Sequence, residues 1–287
     1  MGPEGWAILL TKILDARDGN GPERYPVDVV KLALEYSAQR FPETPIKRVD
    51  ADDLDGFEGA LVPGEKRPTA WGILYNNNQR PERARFTVAH ELGHYLLHRE
   101  EYPDGFWCGE DVVSRREGEG VEKEADTFAA YLLMPLHDFR ARIHPDAKPT
   151  IDDLSDCAIR YGVSLTAAVL RWLEYTNRRS LFIVSNDDYA IWAKASGPAF
   201  RSGRFIRTRN TMYELPPASL VRTRPDDLDM KVGVKQPAGV WFDEPAEEMC
   251  VTSTRHELDM TLLHLGTDSA RTWHQDADAA DVFDRMS

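Results

Sequence analysis

The chain has 287 residues, of which 42% are hydrophobic and 29% are charged, and its formal net charge at pH 7 is −13. This composition is typical of a globular protein and excludes a disordered chain. The negative charge disfavours nucleic acid and anionic membranes as partners unless a local basic patch is present. The densest basic segment, RSGRFIRTR at 201–209, is interpreted as a solvated strand face.

The same features bear on the compartment of the protein. No apolar run approaches the ~18 residues that a membrane-spanning helix needs, and the first residues lack the basic region and cleavage site of a signal peptide. The three cysteines, Cys108, Cys157 and Cys250, are odd in number and widely spaced, which does not suit a disulfide framework. The sequence therefore predicts a cytoplasmic protein with no membrane partner.

The N-terminal half shows mainly helical periodicity. Helices are predicted at 4–17 and 26–39, short strands at 57–62 and 70–76, and a helix over 80–99 that begins near Pro81. Gly93 is unfavourable in a helix, so we expect close packing against a neighbouring backbone there. Residues 99–120 are predicted to form a loop, and helices follow at 121–134 and, in two parts broken at Gly162 with Ser164 as an N-cap, at 150–177.

The pattern changes near residue 178. Short alternating apolar runs at 180–185, 189–195, 204–208 and 248–254 predict strands, and the acidic stretch 268–287 is predicted to be partly disordered. We therefore divide the chain into a domain at 1–178 and a second, α+β or mainly β domain at 179–287.

The first helix of interest carries the sequence FTVAHELGHYLLH at 86–98. His90 and His94 are four residues apart, so both rings lie on one helix face and can bind the same metal ion. Glu91 lies one step round the helix, beside the open position of that ion. There it can take a proton from an attacking water and pass it to a leaving amine. Two helical histidines without a metal role are the alternative at this point.

A second helix, VEKEADTFAAYLLMP, supplies candidate carboxylates. Glu122 and Asp126 share one stripe with the apolar face, whereas Glu124 lies about 200° round from Glu122. Glu122 is therefore predicted to be the third ligand, and Asp126 to accept the free N–H of a ligating histidine. Glu124 is assigned to another face, and its replacement is expected to be nearly silent. A solvated acidic face is the alternative.

Two further residues, His98 and Cys108, lie near enough in the sequence to be considered as metal ligands. His98 continues the face of His90 and His94 but lies about 12 Å along the helix from His90, so it is expected to be a surface residue or to support a ligand. Cys108 could reach the open position of the metal as a thiolate, although a buried inert thiol is the favoured interpretation. The predicted ion is zinc, with manganese as the alternative.

With RFTVAHELGHYLLH followed by VEKEADTFAAYLLMP, the sequence resembles the ImmA/IrrE family of bacterial metallopeptidases over roughly residues 50–177. The resemblance implies a zinc-dependent endopeptidase that cuts a protein substrate, commonly a helix-turn-helix (XRE-type) transcriptional repressor encoded nearby, in a stress or mobile-element response. On that basis His90, His94 and Glu122 bind the metal and Glu91 is the catalytic residue. The strand at 71–75 would be an edge strand to which substrate backbone adds.

The resulting fold prediction is an α+β protein. Residues 1–178 would form a mainly helical, zincin-like domain with a small sheet, an HExxH core at 50–146 and a helix-turn-helix-like extension at 150–177. Residues 179–287 would serve as a sensor or a substrate-docking domain.

Two other functions remain open. The segment CAIRYGVSLTAAV has the helix, turn and helix of a DNA-binding protein, but its second helix has only one basic residue, Arg171, and otherwise apolar side chains. Direct DNA binding is therefore disfavoured. The other alternative is a toxin–antitoxin type regulatory partner whose metal site is vestigial, against which the complete set of His90, His94, Glu122 and Glu91 weighs.

Overall fold

The computed structural model describes residues 1–19, 21, 24–64, 70–108, 119–225, 228–253 and 257–266. The protein is of the α+β class and divides into two compact units. Unit 1 comprises Met1–Pro145 and Pro149–Trp172, and unit 2 comprises Asp146–Lys148 and Leu173–Ser287. The boundary predicted at 178/179 thus lies a few residues beyond this division.

Along the chain of unit 1, two helices precede the first three strands of a small sheet, a third helix separates these strands from the fourth, and four helices follow. Its helices are α1 (Pro3–Asp18), α2 (Val29–Arg40), α3 (Pro81–Leu97), α4 (Glu119–Leu133), α5 (Leu136–Arg142), α6 (Ile151–Tyr161) and α7 (Leu165–Tyr175), the last of which continues into unit 2. Its strands are β1 (Ile46–Asp52), β2 (Gly59–Pro63), β3 (Trp71–Asn76) and β4 (Phe106–Cys108). The predicted helices at 4–17, 26–39, 80–99, 121–134 and 150–177 are confirmed.

The sheet of unit 1 has the strand order β1-β3-β2-β4. β3 pairs in parallel with β1 and antiparallel with β2, so it lies inside the sheet, and the prediction that it is an edge strand is wrong. The reason is β1, which the sequence analysis missed. Its side chains are mostly exposed, with Ile46 as the buried residue, so it lacks the apolar alternation by which strands are recognised.

β4 lies within the segment predicted to be a loop. It pairs antiparallel with β2, and Cys108 is the partner of Gly59 in that register. The edges of the four-stranded sheet are therefore β1 and β4. The remainder of the predicted loop at 109–118 lies outside the described residues.

Helix α3 is the central element of unit 1. It begins with Pro81 in its first turn, where the missing N–H costs nothing, and every residue from Thr87 to Leu96 is buried. A Cβ on Gly93 would lie 3.2 Å from the Cα of Ala125 in α4. The predicted close approach of a neighbouring backbone at Gly93 is therefore confirmed, and it brings α3 and α4 together.

The pair α6–α7 ends and begins as the sequence predicted. Gly162 has a φ of 59° in the left-handed region and ends α6, and the Ser164 hydroxyl accepts from the N–H of Ala167 at 3.1 Å. Arg171, the basic residue of α7, is buried at 1% exposure and donates to the Met134 carbonyl at 3.0 Å. Because this guanidinium is held inside the protein, the observation weighs against a base-reading role for α7.

Unit 2 contains one antiparallel sheet of six strands in the order β7-β6-β5-β10-β9-β8. Its strands are β5 (Ser180–Asn186), β6 (Tyr189–Ala195), β7 (Tyr213–Glu214), β8 (Val234–Gln236), β9 (Ala246–Ser253) and β10 (Leu258–Leu265), and its short helices are α8 (Gly197–Arg201) and α9 (Leu220–Thr223). A buried cluster that includes Leu181, Ile183 and Trp241 packs on one side of the sheet.

One predicted strand of unit 2 is absent. Residues 204–208 are in neither a strand nor a helix, so the interpretation of 201–209 as a strand face is wrong. Arg204 there is ion-paired with Glu244 at 2.6 Å, an interaction between distant residues that local periodicity cannot reveal. The acidic stretch 268–287 lies outside the described residues. Among the described helices, none has both the length and the apolar character required to cross a bilayer.

Candidate metal centre

Helix α3 places three polar side chains inside unit 1. His90, Glu91 and His94 are exposed by only 7%, 0% and 0%. The four-residue spacing puts the two imidazoles on one face, and their Nε2 atoms lie 2.9 Å apart. Two ring nitrogens therefore point at a common position.

Helix α4 brings one carboxylate to this position and a second to the outer side of His90. Glu122 Oε2 lies 3.1 Å from His90 Nε2, and Glu122 Oε1 lies 3.4 Å from His94 Nε2. Asp126 Oδ1 lies 2.9 Å from Nδ1, the other ring nitrogen of His90. The structure thus brings together the residues predicted as ligands and places Asp126 behind one of them.

The outer nitrogen of His94 also has a partner, His98, which in turn contacts Glu124. The sequence had left the role of His98 open and had predicted none for Glu124. Its Nδ1 lies 3.1 Å from Nδ1 of His98, and His98 Nε2 lies 3.1 Å from Glu124 Oε2. His98 is 5% exposed, which fits a supporting role and not a surface one. Glu124 was assigned to another face of α4 than Glu122, and its side chain is half exposed, but its contact with His98 was not foreseen. The angle between two residues of α4 does not say which side chains of α3 lie nearby.

One set of tautomers satisfies all of these contacts. If His90 donates from Nδ1 to Asp126, and His94 donates from Nδ1 to His98, both Nε2 atoms carry lone pairs. His98 then donates from Nε2 to Glu124. Lone pairs 2.9 Å apart repel unless a proton or a cation lies between them.

Cys108 completes the cluster from strand β4. Its Sγ lies 3.5 Å from His94 Nε2 and 3.9 Å from Glu122 Oε1. One ligand atom from each of His90, His94, Cys108 and Glu122 lies within 4.8 Å of the other three.

Glu91 has an environment of its own. It is fully buried, and neither of its carboxylate oxygens has a hydrogen-bond partner among the described residues. The carboxylate lies against Gly59 of β2, where an added Cβ would come within 2.7 Å of Glu91 Oε1. Gly59 is a functional candidate that the sequence analysis missed, and the absence of a side chain in an otherwise apolar strand was the available signal.

Phe106 is a second residue that the sequence analysis missed. Its ring stacks on His94 with a centroid distance of 4.1 Å and an interplanar angle of 21°. Phe106 and Cys108 are two residues apart on β4, so both point to the same side, whereas Trp107 between them is 47% exposed. The strand therefore forms one wall of the centre.

The surroundings of the two histidines shift their pKa values in opposite directions. Burial lowers the pKa of His94 to about 4, which keeps this ring neutral and able to bind a cation. Burial also lowers the pKa of His90, but the hydrogen bonds to Asp126 and Glu122 outweigh it and raise this pKa to about 9. Without a metal, a proton on His90 thus supplies the positive charge that the carboxylates attract.

The acidic groups respond to the same surroundings. Burial raises the pKa of Glu122, but hydrogen bonds from His90 and His94 hold it well below its usual range. Burial raises the pKa of Glu91 to about 7 and that of the Cys108 thiol above its ordinary value.

These groups fit a divalent cation. Two neutral imidazole nitrogens and a carboxylate are the ligands that zinc takes in catalytic sites. The outer nitrogen of each histidine is bound by a separate group, as is usual for metal-ligating histidines.

The fold and this centre describe a protein of the α+β class with a cluster of histidine, glutamate and cysteine side chains that could hold a metal ion. The family described as Peptidase_M78, IrrE N-terminal-like domain, matches residues 40–173. Residues 40–173 are therefore similar to the N-terminal domain of IrrE, in agreement with the resemblance that the sequence indicated.

Two curated relatives agree with this assignment. The radiation response metalloprotease IrrE of Deinococcus deserti is 33% identical over 135 residues, which are 43% of this chain and 45% of that protein. The protein of the same name from Deinococcus radiodurans is 35% identical over 108 residues, which are 36% of this chain and 31% of that protein. The chain thus spans less than half the length of either relative.

A solved structure extends the likeness in fold. A chain described as a Mycobacterium tuberculosis transcriptional regulator matches with a TM-score of 0.50 and 14% identity, over 90% of this chain and 75% of that one. At this identity the likeness concerns the fold alone.

Proposed function

We propose that this protein is a zinc-dependent endopeptidase in which His90, His94 and Glu122 bind the metal and Glu91 is the general base. The observation that carries the proposal is the convergence of two Nε2 atoms and the Glu122 carboxylate beside the buried, unpartnered carboxylate of Glu91. A buried carboxylate without a partner is costly, so a role in chemistry is the physical reason to retain one here.

The residues divide the work as follows. A zinc ion would polarise the scissile carbonyl and lower the pKa of the attacking water. Glu91 takes the proton of that water on a carboxylate oxygen and delivers it to the leaving amine. Asp126 holds His90 in one tautomer, and His98 with Glu124 does the same for His94.

The substrate that we propose is a protein, in particular a helix-turn-helix repressor of the XRE type encoded nearby, cut in a stress or mobile-element response. The support is the resemblance of residues 40–173 to radiation response metalloproteases. Unit 2, with its separate apolar core, is assigned to docking of this substrate or to sensing of a signal. The cytoplasm is the proposed location, since all three cysteines are unpaired.

The test is Glu91→Gln in the full chain, assayed on the purified repressor. The amide has the shape of the carboxylate but cannot accept the proton, so cleavage should fall about 10²- to 10⁴-fold while zinc content stays at the wild-type level. The matched control is Glu100→Gln, because the Glu100 side chain is 87% exposed. Glu124→Gln is unsuitable as a control, since Glu124 binds His98.

Two results would contradict the proposal. Cleavage by the Glu91 variant near the wild-type rate would assign the base to another residue. Wild-type protein that takes up no zinc would refute the metal site itself.

A further inference from the structure

Cys108 is the one member of the converging cluster to which the proposed reaction gives no role. We propose that Cys108 is a fourth protein ligand of the metal, so that the resting centre is closed by two histidines, a glutamate and a cysteine thiolate. The inference rests on the proposed function and goes further, because it says what occupies the position that an attacking water needs.

The distances match a four-ligand site. For a tetrahedral zinc ion with bonds of about 2.0–2.2 Å to nitrogen and oxygen and about 2.3 Å to sulfur, neighbouring ligand atoms lie about 3.3–3.6 Å apart. Contacts of 2.9, 3.1, 3.4, 3.5 and 3.9 Å join atoms of the four residues through both oxygens of Glu122, and with one ligand atom from each residue the four atoms lie within 4.8 Å of one another. The two contacts of sulfur, 3.5 and 3.9 Å, are the longest of these five, as the larger sulfur atom requires.

The backbone holds the sulfur in this position. Cys108 is paired with Gly59 in the β2–β4 ladder, and its carbonyl accepts from the N–H of Glu58 at 2.8 Å. The alternation of β4 points Phe106 and Cys108 to the same side, where Phe106 stacks on His94. Two neighbouring inward side chains of one strand therefore contact the same ligand, which makes a chance approach of the thiol a poor explanation.

The surroundings of the thiol are those of a metal ligand. An inert buried cysteine lies among apolar groups, whereas Cys108 lies beside His94 Nε2 and Glu122 Oε1. On binding, the S–H bond is replaced by a sulfur–metal bond and the proton leaves to solvent, with no oxidant or reductant involved. The fully buried carboxylate of Glu91 interacts with the Cys108 thiol, so the sulfur lies next to the residue that would activate the attacking water.

A closed centre of this kind is latent. Structural zinc sites have four protein ligands, whereas catalytic sites keep a position open for water or substrate. Cleavage by this protein would therefore require the sulfur to leave first. The cysteine then acts as an internal block on the protease.

The first experiment measures the neighbours of the metal directly. X-ray absorption of the full-length protein loaded with one zinc should show one sulfur at about 2.3 Å among nitrogen and oxygen neighbours. The sulfur signal should vanish in Cys108→Ala and persist in Cys157→Ala, because Cys157 is also buried but lies on α6 outside the cluster. Cobalt loading gives an independent signature, a thiolate-to-cobalt absorption band with the same dependence on the variants.

The second measurement is repressor cleavage per bound zinc, which should rise severalfold in Cys108→Ala and stay unchanged in Cys157→Ala. Zinc bound by wild-type protein with nitrogen and oxygen neighbours alone would overturn the inference and leave the proposed function standing. A sulfur neighbour in the wild type, with no gain of cleavage in Cys108→Ala, would show that Cys108 binds the metal but does not inhibit cleavage, and would overturn that part of the inference. Since the first reading uses the wild-type protein, a variant that fails to fold does not prevent the test.

Discussion

Gly59 shows how an absent side chain can shape a catalytic site. Its position opposite Cys108 leaves a space in β2, and the carboxylate of Glu91 fills that space. A methyl group there would lie 2.4 Å from Thr87 Cγ2 and 2.7 Å from Glu91 Oε1, both closer than real contacts allow. The Glu91 side chain would have to move, although residue 91 itself is unchanged.

We therefore expect Gly59→Ala to bind zinc as the wild type does and to lose turnover by about 10²-fold, since a displacement of about 1 Å is enough for such a loss. Zinc content and cleavage rate are the measurements. The matched control is Gly72→Ala on the neighbouring strand β3, where the nearest atom to an added Cβ is Arg48 Cγ at 3.2 Å on a flexible side chain. Unchanged turnover in the Gly59 variant would show that the position of Glu91 does not depend on the missing side chain at residue 59.

The short helix α5 is fixed to α6 by one carboxylate. Asp138 of α5 accepts from Arg160 through both oxygens, at 2.9 and 3.0 Å, and from the Tyr161 hydroxyl at 2.6 Å. Burial raises the pKa of Asp138, but these hydrogen bonds outweigh it and lower the pKa below the ordinary value. Charge-assisted, bidentate bonds of this kind are among the stronger polar contacts between elements.

Asp138→Asn should lower the free energy of unfolding by about 2 kcal/mol at neutral pH. Because the folded pKa is below the unfolded value of about 3.9, the stabilising effect is complete above that value and is lost as the pH falls through the folded pKa. The difference between variant and wild type should accordingly be constant from pH 7 to about 5 and shrink below about 4. Urea titrations across this range measure it, with the exposed Asp156→Asn on α6 as the control. A difference that grows on acidification would contradict the assignment.

Elements also differ in how well local pattern reveals them. Helix α3 was predicted because its apolar residues recur at helical spacing and Pro81 marks its start. Strand β1 was missed because it is held by hydrogen bonds to β3 and exposes most of its side chains. Strand β4 was missed because it has three residues and belongs to the sheet only through β2.

The chain divides into two units, and among the described residues the candidate metal centre lies in unit 1, apart from the apolar core of unit 2. A ligand that binds the folded state alone stabilises it by about 2.7 kcal/mol at a concentration of 100 times its Kd. For a unit of this size, that corresponds to a rise in melting temperature of about 5–10 °C. Calorimetry should therefore show two transitions, of which zinc raises one and a chelator reverses the rise.

The control for this prediction is Glu122→Ala, which removes a ligand and should abolish the shift. Equal shifts of both transitions in the wild type would mean that the units unfold together. No shift at all would contradict the metal site.

Sequence by itself determined the features that depend on the local geometry of a helix. The repeat of 3.6 residues placed His90 with His94 and Glu122 with Asp126, and the structure brings these four side chains together. The same locality explains the predicted close approach at Gly93 and the helix break at Gly162. Each of these inferences compares residues a few positions apart on one element.

The tertiary structure decided everything that depends on pairing between distant segments. The register that sets Gly59 against Cys108, the internal position of β3, and the contact of Glu124 with His98 arise from strand order and from the packing of α3 on α4. A strand bonds to its neighbour through backbone groups that every residue carries, so its side chains do not specify which strand that neighbour is. For that reason the sequence left the role of Cys108 open, and the pairing of β4 with β2 places its sulfur beside His94 and Glu122.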